Sequence, residues 1–252
     1  MKCIFLAAGY ATRLYPLTEN FPKPLLEVGG KPILERLTDD LKDIVEEFVV
    51  VSNHKFAHHF ERWAEDLEAR EAARCGTGLK IRVADDGTET NETRLGAVRD
   101  IQFAVETAGI REDCLVMAGD NVLDFSLKGF VVFSLQARTS CVMCHPETRL
   151  EALQKTAVIT IDDSGLITSY EEKPAEPKGT LAVPPFYYYR KEDLDRIPEA
   201  LSEGCGYDAP GSFAAWLSTK TPMHAYIMPG KRHDIGDRRS YDEVRLLFGG
   251  PA

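Results

Sequence analysis

No run in this 252-residue chain approaches the roughly 18–20 consecutive apolar residues that a membrane-spanning helix requires. Positive charge is also scarce: 30 Lys and Arg against 40 Asp and Glu leave a net charge of −10. That balance excludes the broad basic face on which non-specific nucleic-acid binding depends. Residues 1–8 begin as a strand and run straight into a glycine-containing loop, so no removable signal peptide is expected and the compartment is read as cytoplasmic. The six cysteines, at 3, 75, 114, 141, 144 and 205, are scattered and read as small buried hydrophobes in a reducing setting. Cys141-Val-Met-Cys144 has no second CxxC, and strand alternation would turn its two thiols to opposite faces. His54, His58 and His59 lack an HExxH pattern, which leaves them solvated or packing roles. There is no internal repeat and no low-complexity linker.

What the chain does have is a regular strand–helix rhythm. Strand-like apolar runs fall at 2–7, 47–52, 79–83, 114–118, 139–144, 156–161, 166–170, 181–189 and 223–228. Helical spacing marks 32–46, opened by Pro32, together with 54–69 and 96–107. Alternation of this kind predicts an α/β fold: a mostly parallel, doubly wound, Rossmann-like mixed sheet covered on both faces. After about residue 139 strands follow one another more closely, with a turn at Asp162-Asp-Ser-Gly165. This predicts a smaller antiparallel excursion over the active-site cleft. Helices return at 191–203, 211–219 and 238–247. One domain over 1–252 is the simplest division, with a nucleotide-binding half at 1–138 and an acceptor-binding half at 139–252.

Several segments could carry chemistry. In Phe5-Leu-Ala-Ala-Gly9-Tyr-Ala-Thr-Arg13-Leu-Tyr-Pro-Leu-Thr18 and Phe21-Pro-Lys23-Pro, an apolar strand feeds a loop bearing two cations and exposed amides. That suits a polyphosphate at the carboxyl end of a first strand. Gly9 would allow close backbone approach, Arg13 offers a fork of donors, and Lys23 is held between two prolines. Read one at a time, Arg13 and Lys23 are more simply solvated cations on a βα turn. Leu115-Val-Met-Ala-Gly-Asp120 ends a strand in a carboxylate, a hard ligand suited to Mg²⁺ or equally a cap for the next element. Lys231-Arg-His-Asp234-Ile-Gly-Asp237 presents another, with Asp237 placed to cap a helix at 238–247. Glu171-Glu172-Lys173-Pro174 sets an acceptor-only carboxylate beside a compact ammonium, although such a string is also common as an exposed charge cluster.

Together these segments resemble the sugar-1-phosphate nucleotidyltransferases, whose fingerprint LAAGxGTRLxPLT followed by PKP is matched from Leu6 to Pro24. The resemblance also covers the GD at Gly119-Asp120, the EKP at Glu172–Pro174, and the W-x-D-I-G segment at Asp234. It implies transfer of a nucleotidyl group from a nucleoside triphosphate to a sugar 1-phosphate, with release of pyrophosphate. By the same match the nucleotide contacts Leu6, Ala8, Gly9, Arg13, Lys23 and Gly96, and Arg13, Lys23 and Asp120 are catalytic. Mg²⁺ would sit on Asp120 and Asp234, and Glu172 and Lys173 would meet the sugar phosphate. A homo-oligomer is the expected assembly, because relatives often oligomerise. Two alternatives stay open: a CTP-dependent cytidylyltransferase caging phosphocholine with the Phe186–Tyr189 rings, and a nucleotide-sugar-binding regulator without catalysis. Ala11 replaces the fingerprint's second glycine, which predicts a strained or altered loop. Ala97 replaces a threonine near the base, and Pro184-Pro185 is expected to reshape the wall beside the acceptor.

Overall fold

The computed structural model describes residues 1–76 and 78–249. The opening strand Lys2–Leu6 lies inside the main sheet, hydrogen-bonded in parallel to Glu47–Ser52 on one side and Cys114–Ala118 on the other. Its alternation divides the core. Ile4, with Val49 and Val116, packs on one face, while Phe5, Phe48 and Leu115 pack on the opposite one. Helices Ala97–Thr107, Ile197–Ser202 and Gly211–Ser218 cover the first face. Ile33–Leu41, His54–Cys75 and Lys128–Ala137 cover the second. Burial on both faces explains why these strands are continuous apolar runs rather than alternating ones.

Nine strands follow one path, with Ile167–Glu172 at one edge and Ile81–Asp85 at the other, and Met223–Ile227 pairs off that path with Ser140–Pro146. All run in one direction except Ile167–Glu172, Leu181–Val183 and Phe186–Tyr189. The predicted antiparallel excursion is therefore an extension of the main sheet. The Asp162–Gly165 turn closes as expected, with the Gly165 amide donating to Asp162 at 3.0 Å. Cys141 and Cys144 lie buried on opposite faces. Among the described residues no helix is long and apolar enough to cross a membrane.

Three differences from the sequence expectations have local causes. Lys128–Ala137 is a helix, although its Phe-Val-Val-Phe run has no clear helical period. The expected strand 181–189 is two strands, Leu181–Val183 and Phe186–Tyr189, because Pro184 and Pro185 cannot donate to a ladder. A short ribbon formed by Asn121–Leu123 and Arg232–Asp234 was not anticipated at all. A third apolar cluster lies behind it: Leu14, Val122, Ile235, Tyr241 and Val244 pack together with Leu26, Val28 and Ile33. Helix Arg238–Leu247 is anchored there, and its first turn is capped by Asp237 as expected, in a reciprocal box with Ser240.

One buried carboxylate is left without compensation. Asp100, in the first turn of helix Ala97–Thr107, is 7% exposed and its Oδ1 has no partner among the described residues. Burial, reinforced by the nearby Asp86 carboxylate, pushes its pKa up to about 7. A carboxyl raised on folding stabilises most below its unfolded pKa, and the benefit is lost as pH climbs through the folded value. Asp100→Asn should therefore gain stability over the parent by about 2–4 kcal/mol at pH 8, with the gain shrinking towards pH 4. Urea unfolding of both proteins across that pH range checks it, and a pH-independent difference would contradict it.

Candidate active site

Beyond Leu6 the chain is held by backbone and side-chain bonds on both sides. The Ala7 amide donates to Val51 O (2.9 Å), the Tyr10 hydroxyl to Thr88 O (3.0 Å), and the Thr18 hydroxyl to Ala11 O (2.8 Å). Ala11 adopts φ 46°, ψ 42°, so it keeps a left-handed conformation natural to glycine, at a cost of about 1–2 kcal/mol. The next residues form a tight turn, Thr12–Leu14, that buries Leu14 in the third cluster and leaves Arg13 exposed. Gly9 is exposed, and a Cβ added there would meet nothing within 4 Å. The protein itself therefore does not require a glycine at 9.

Lys23 opens a second turn after the extended Pro22 and is itself 7% exposed. Its ammonium reaches Asp120 Oδ2 at 2.7 Å. A buried lysine needs such a partner, and Asp120 is offered by the strand Cys114–Ala118 through Gly119. A Cβ on Gly119 would press to 3.0 Å from Leu34 Cδ1.

Asp120 and Asp234 come together through the unexpected ribbon. In its antiparallel register Asp234 stands opposite Asn121. The buried Asn121 amide donates to Asp120 Oδ1 at 2.8 Å, and its oxygen accepts from Arg232 Nη1 at 2.6 Å. The same Nη1 lies 3.7 Å from Asp234 Oδ1. A continuous polar chain thus runs Lys23–Asp120–Asn121–Arg232–Asp234. Asn121 and Arg232 are the members that sequence reasoning passed over. Each adjoins a chosen segment, but only the register reveals its part.

These groups face a cavity of ≈ 1020 Å³. Of the sequence candidates, Leu6, Arg13, Lys23, Asp120 and Asp234 line it. Ala8, Gly9, Gly96, Glu172 and Lys173 do not. Ala97 reaches the wall in place of Gly96. Gly96, at φ 91°, is needed where it stands, since a Cβ would collide with Tyr207 at 2.7 Å. There the loop at 207–208 crosses to the helix start. Asp208 O accepts from the Ala97 amide (3.2 Å) and Tyr207 O from Val98 (2.9 Å). Arg94 pairs with Asp208 at 2.9 Å, and Arg99 lies over the Tyr207 ring. Glu172 is half-buried, its Oε2 is shielded without a partner among the described residues, and burial raises its pKa. Lys173 adopts φ 47° with an exposed side chain.

His145, Glu147, Arg149, Lys155 and the Pro184-Pro185 pair also wall the cavity. The Phe186–Tyr189 rings are buried within the sheet's two cores and none lines the cavity. Cations outnumber acids on the wall: Arg13, Lys23, Arg149, Lys155, Lys231 and Arg232 against Asp120, Glu147 and Asp234. Within an acidic protein this is a local site for polyanions.

Comparison with known proteins agrees with this geometry. A family model described as nucleotidyl transferase matches residues 2–247. A UTP–glucose-1-phosphate uridylyltransferase of Haloferax volcanii is 30% identical, covering 97% of this chain and 95% of its own. A protein of the same name from Synechocystis is 26% identical over 96% of this chain, which spans 61% of that relative. Among solved structures, a UDP-glucose pyrophosphorylase complexed with UDP-glucose aligns with a TM-score of 0.81 at 21% identity, covering 98% of this chain and 97% of its own. A putative glucose-1-phosphate thymidylyltransferase from Bacillus anthracis gives 0.80 at 23% identity, covering 98% of this chain and 95% of its own. At such identities the structural matches speak for the fold.

Relieving the left-handed alanine should be measurable. Ala11→Gly removes the steric cost but adds freedom to the unfolded chain, for a net stabilisation of about 0.5–1 kcal/mol. A higher urea midpoint with an unchanged slope is the expected result, and a lower midpoint would show that Ala11 is unstrained.

Proposed function

This chain belongs to the nucleotidyl transferase family, and we propose that it joins a nucleoside triphosphate to a sugar 1-phosphate, releasing pyrophosphate and a nucleotide sugar. The observation that carries this reading is the ribbon register, which sets Asp234 across from Asn121 and so beside Asp120, on the same cavity as Arg13 and Lys23. In the reaction, an oxygen of the acceptor's phosphate forms a bond to the α-phosphorus while the α–β bridging bond breaks and pyrophosphate departs. No protein nucleophile is required, so positioning and charge neutralisation supply the catalysis.

Each residue then has a physical task. Arg13, exposed at the cavity mouth and free of an ion pair among the described residues, clamps the departing phosphates with its planar fork. Lys23 sits against Asp120 at 2.7 Å and exchanges part of that contact for an α-phosphate oxygen. Asn121 holds Asp120 by a hydrogen bond, and Arg232, bonded to Asn121, faces Asp234 as an ion pair at 3.7 Å. Asp120 and Asp234 are a donor set that fits Mg²⁺, which takes one or two protein carboxylates and completes its shell with phosphate and water oxygens. Both carboxylates line the cavity and Asp234 is exposed, so oxygen lone pairs remain open to such an ion. When bound, Mg²⁺ would offset charge building on the phosphates.

The phosphocholine alternative finds no aromatic cage on the cavity wall. A non-catalytic binder would have no need of two carboxylates converging on a phosphate cradle. UTP with glucose 1-phosphate is the first pair to test, given the name of the Haloferax relative. Pyrophosphate release from that pair, or from dTTP, CTP or GTP with other sugar 1-phosphates, is expected only when both substrates are present. Silence across the whole matrix would remove the proposal.

Two expectations follow for the active pair. Asp120→Asn and Arg13→Ala should each remain folded while losing roughly 10²–10³-fold in turnover, or about 2.7–4 kcal/mol of barrier lowering. A rate within twofold of the parent would refute the assignment. Chelation with EDTA should abolish pyrophosphate release, and added Mg²⁺ should restore it. Full activity after exhaustive chelation would place the reaction outside metal-assisted chemistry.

A further inference from the structure

We propose that the acceptor carries a carboxylate in addition to its phosphate, as in a uronic acid 1-phosphate, and that Arg232 recognises it. This rests on the nucleotidyl-transfer reading and names the substrate class for it.

A departure from the fingerprint is the starting point. In the W-x-D-I-G segment the aromatic position is held by Arg232, two residues before Asp234. Strand alternation along Arg232–Asp234 puts these two side chains on one face of the ribbon, and both line the cavity. A guanidinium thus stands on the wall beside one of the two converging carboxylates.

Arg232 is anchored but not used up. Its Nη1 donates to Asn121 Oδ1 at 2.6 Å and lies 3.7 Å from Asp234 Oδ1. Its Nε is buried without a partner, and Nη2 makes no hydrogen bond among the described residues. Those two nitrogens form one edge of the planar fork, the edge that takes a carboxylate through two parallel bonds. The backbone beneath is fixed. The Lys231 amide donates to Asp124 Oδ1 at 2.6 Å, the Asp124 amide to Lys231 O at 3.2 Å, and a Cβ on Gly230 would collide with Asp124 and Phe125.

Other cations on the wall have other work or no fixed geometry. Arg13 and Lys23 serve the triphosphate in the proposed reaction. Arg149 is tied to Glu147 at 2.7 and 3.1 Å. The resemblance gives the acceptor's phosphate to the EKP segment, whose Lys173 amide donates to Thr156 O at 3.1 Å, and Thr156 lines the cavity. Lys155 and Lys231 are exposed and add positive field. The sugar rides on the phosphate that must reach the α-phosphorus beside Asp120 and Asp234, so it comes to rest near the ribbon. A neutral sugar would cover the fork and leave its donors without an acceptor, which is costly. A carboxylate satisfies them and offsets the charge.

Pyrophosphate release with glucuronic acid 1-phosphate against glucose 1-phosphate, using the nucleotide that the matrix selects, tests this. Galacturonic acid 1-phosphate against galactose 1-phosphate is the second pair, should the enzyme refuse the first ring. In at least one pair the parent should favour the acid by about tenfold or more in kcat/KM. Arg232→Trp, which restores the fingerprint's aromatic, and Arg232→Gln, which keeps an amide donor for Asn121, should each erase that preference. A general fault in the network would slow both acceptors alike and leave the ratio intact. Where turnover is too slow to measure, the thermal-midpoint shift given by each acceptor reads the same preference. A parent that favours the neutral sugar in both pairs, or a preference that survives both substitutions, overturns the proposal while the transfer reading stands. If no acceptor, acidic or neutral, yields pyrophosphate, the transfer reading itself falls and this inference goes with it.

Discussion

Six residues of backbone, Asn121–Leu123 against Arg232–Asp234, hold the site together. They join segments more than a hundred positions apart, and nothing in the main sheet would otherwise bring Asp234 near Asp120. A two-stranded ribbon is marginal on its own. This one persists because Val122 and Ile235 are buried with Leu14, Tyr241 and Val244. The same small cluster seats the residue after Arg13, the residue after Asn121 and the residue after Asp234. Apolar packing on one side of the backbone thus fixes the charged side chains on the other.

Charge is arranged with the same economy. Burying Lys23 would be prohibitive without Asp120, and Asp120 is in turn satisfied by Asn121. Asn121, itself buried, is completed by Arg232. The chain of bonds ties these side chains to one another, although the buried Arg232 Nε has no partner among the described residues. Cations then outnumber acids on the cavity wall of an otherwise acidic molecule.

Much of the fold was legible because periodicity and punctuation agreed. Ile33, Leu34, Leu37 and Leu41 kept helical spacing, and the opening strand stayed apolar on both faces as a central parallel strand must. Lys128–Ala137 was not legible, since four consecutive apolar residues carry no usable period. Of the site, Arg13, Lys23 and the two aspartates were legible from their motifs, although their convergence is a matter of register between distant segments. Asn121 and Arg232 were not, because each is placed by strand pairing. Glu172 illustrates the converse: its motif pointed outward, but burial beside Gly211 turned it into the core.

The crossing loop at Tyr207 and Asp208 has a mechanical consequence. It stitches the later half of the chain to the first turn of helix Ala97–Thr107 by two main-chain bonds, an ion pair and a stacked guanidinium. To spread apart like a clamshell, the halves would first have to tear that seam. Any opening of the cleft at that end therefore has to break those contacts together.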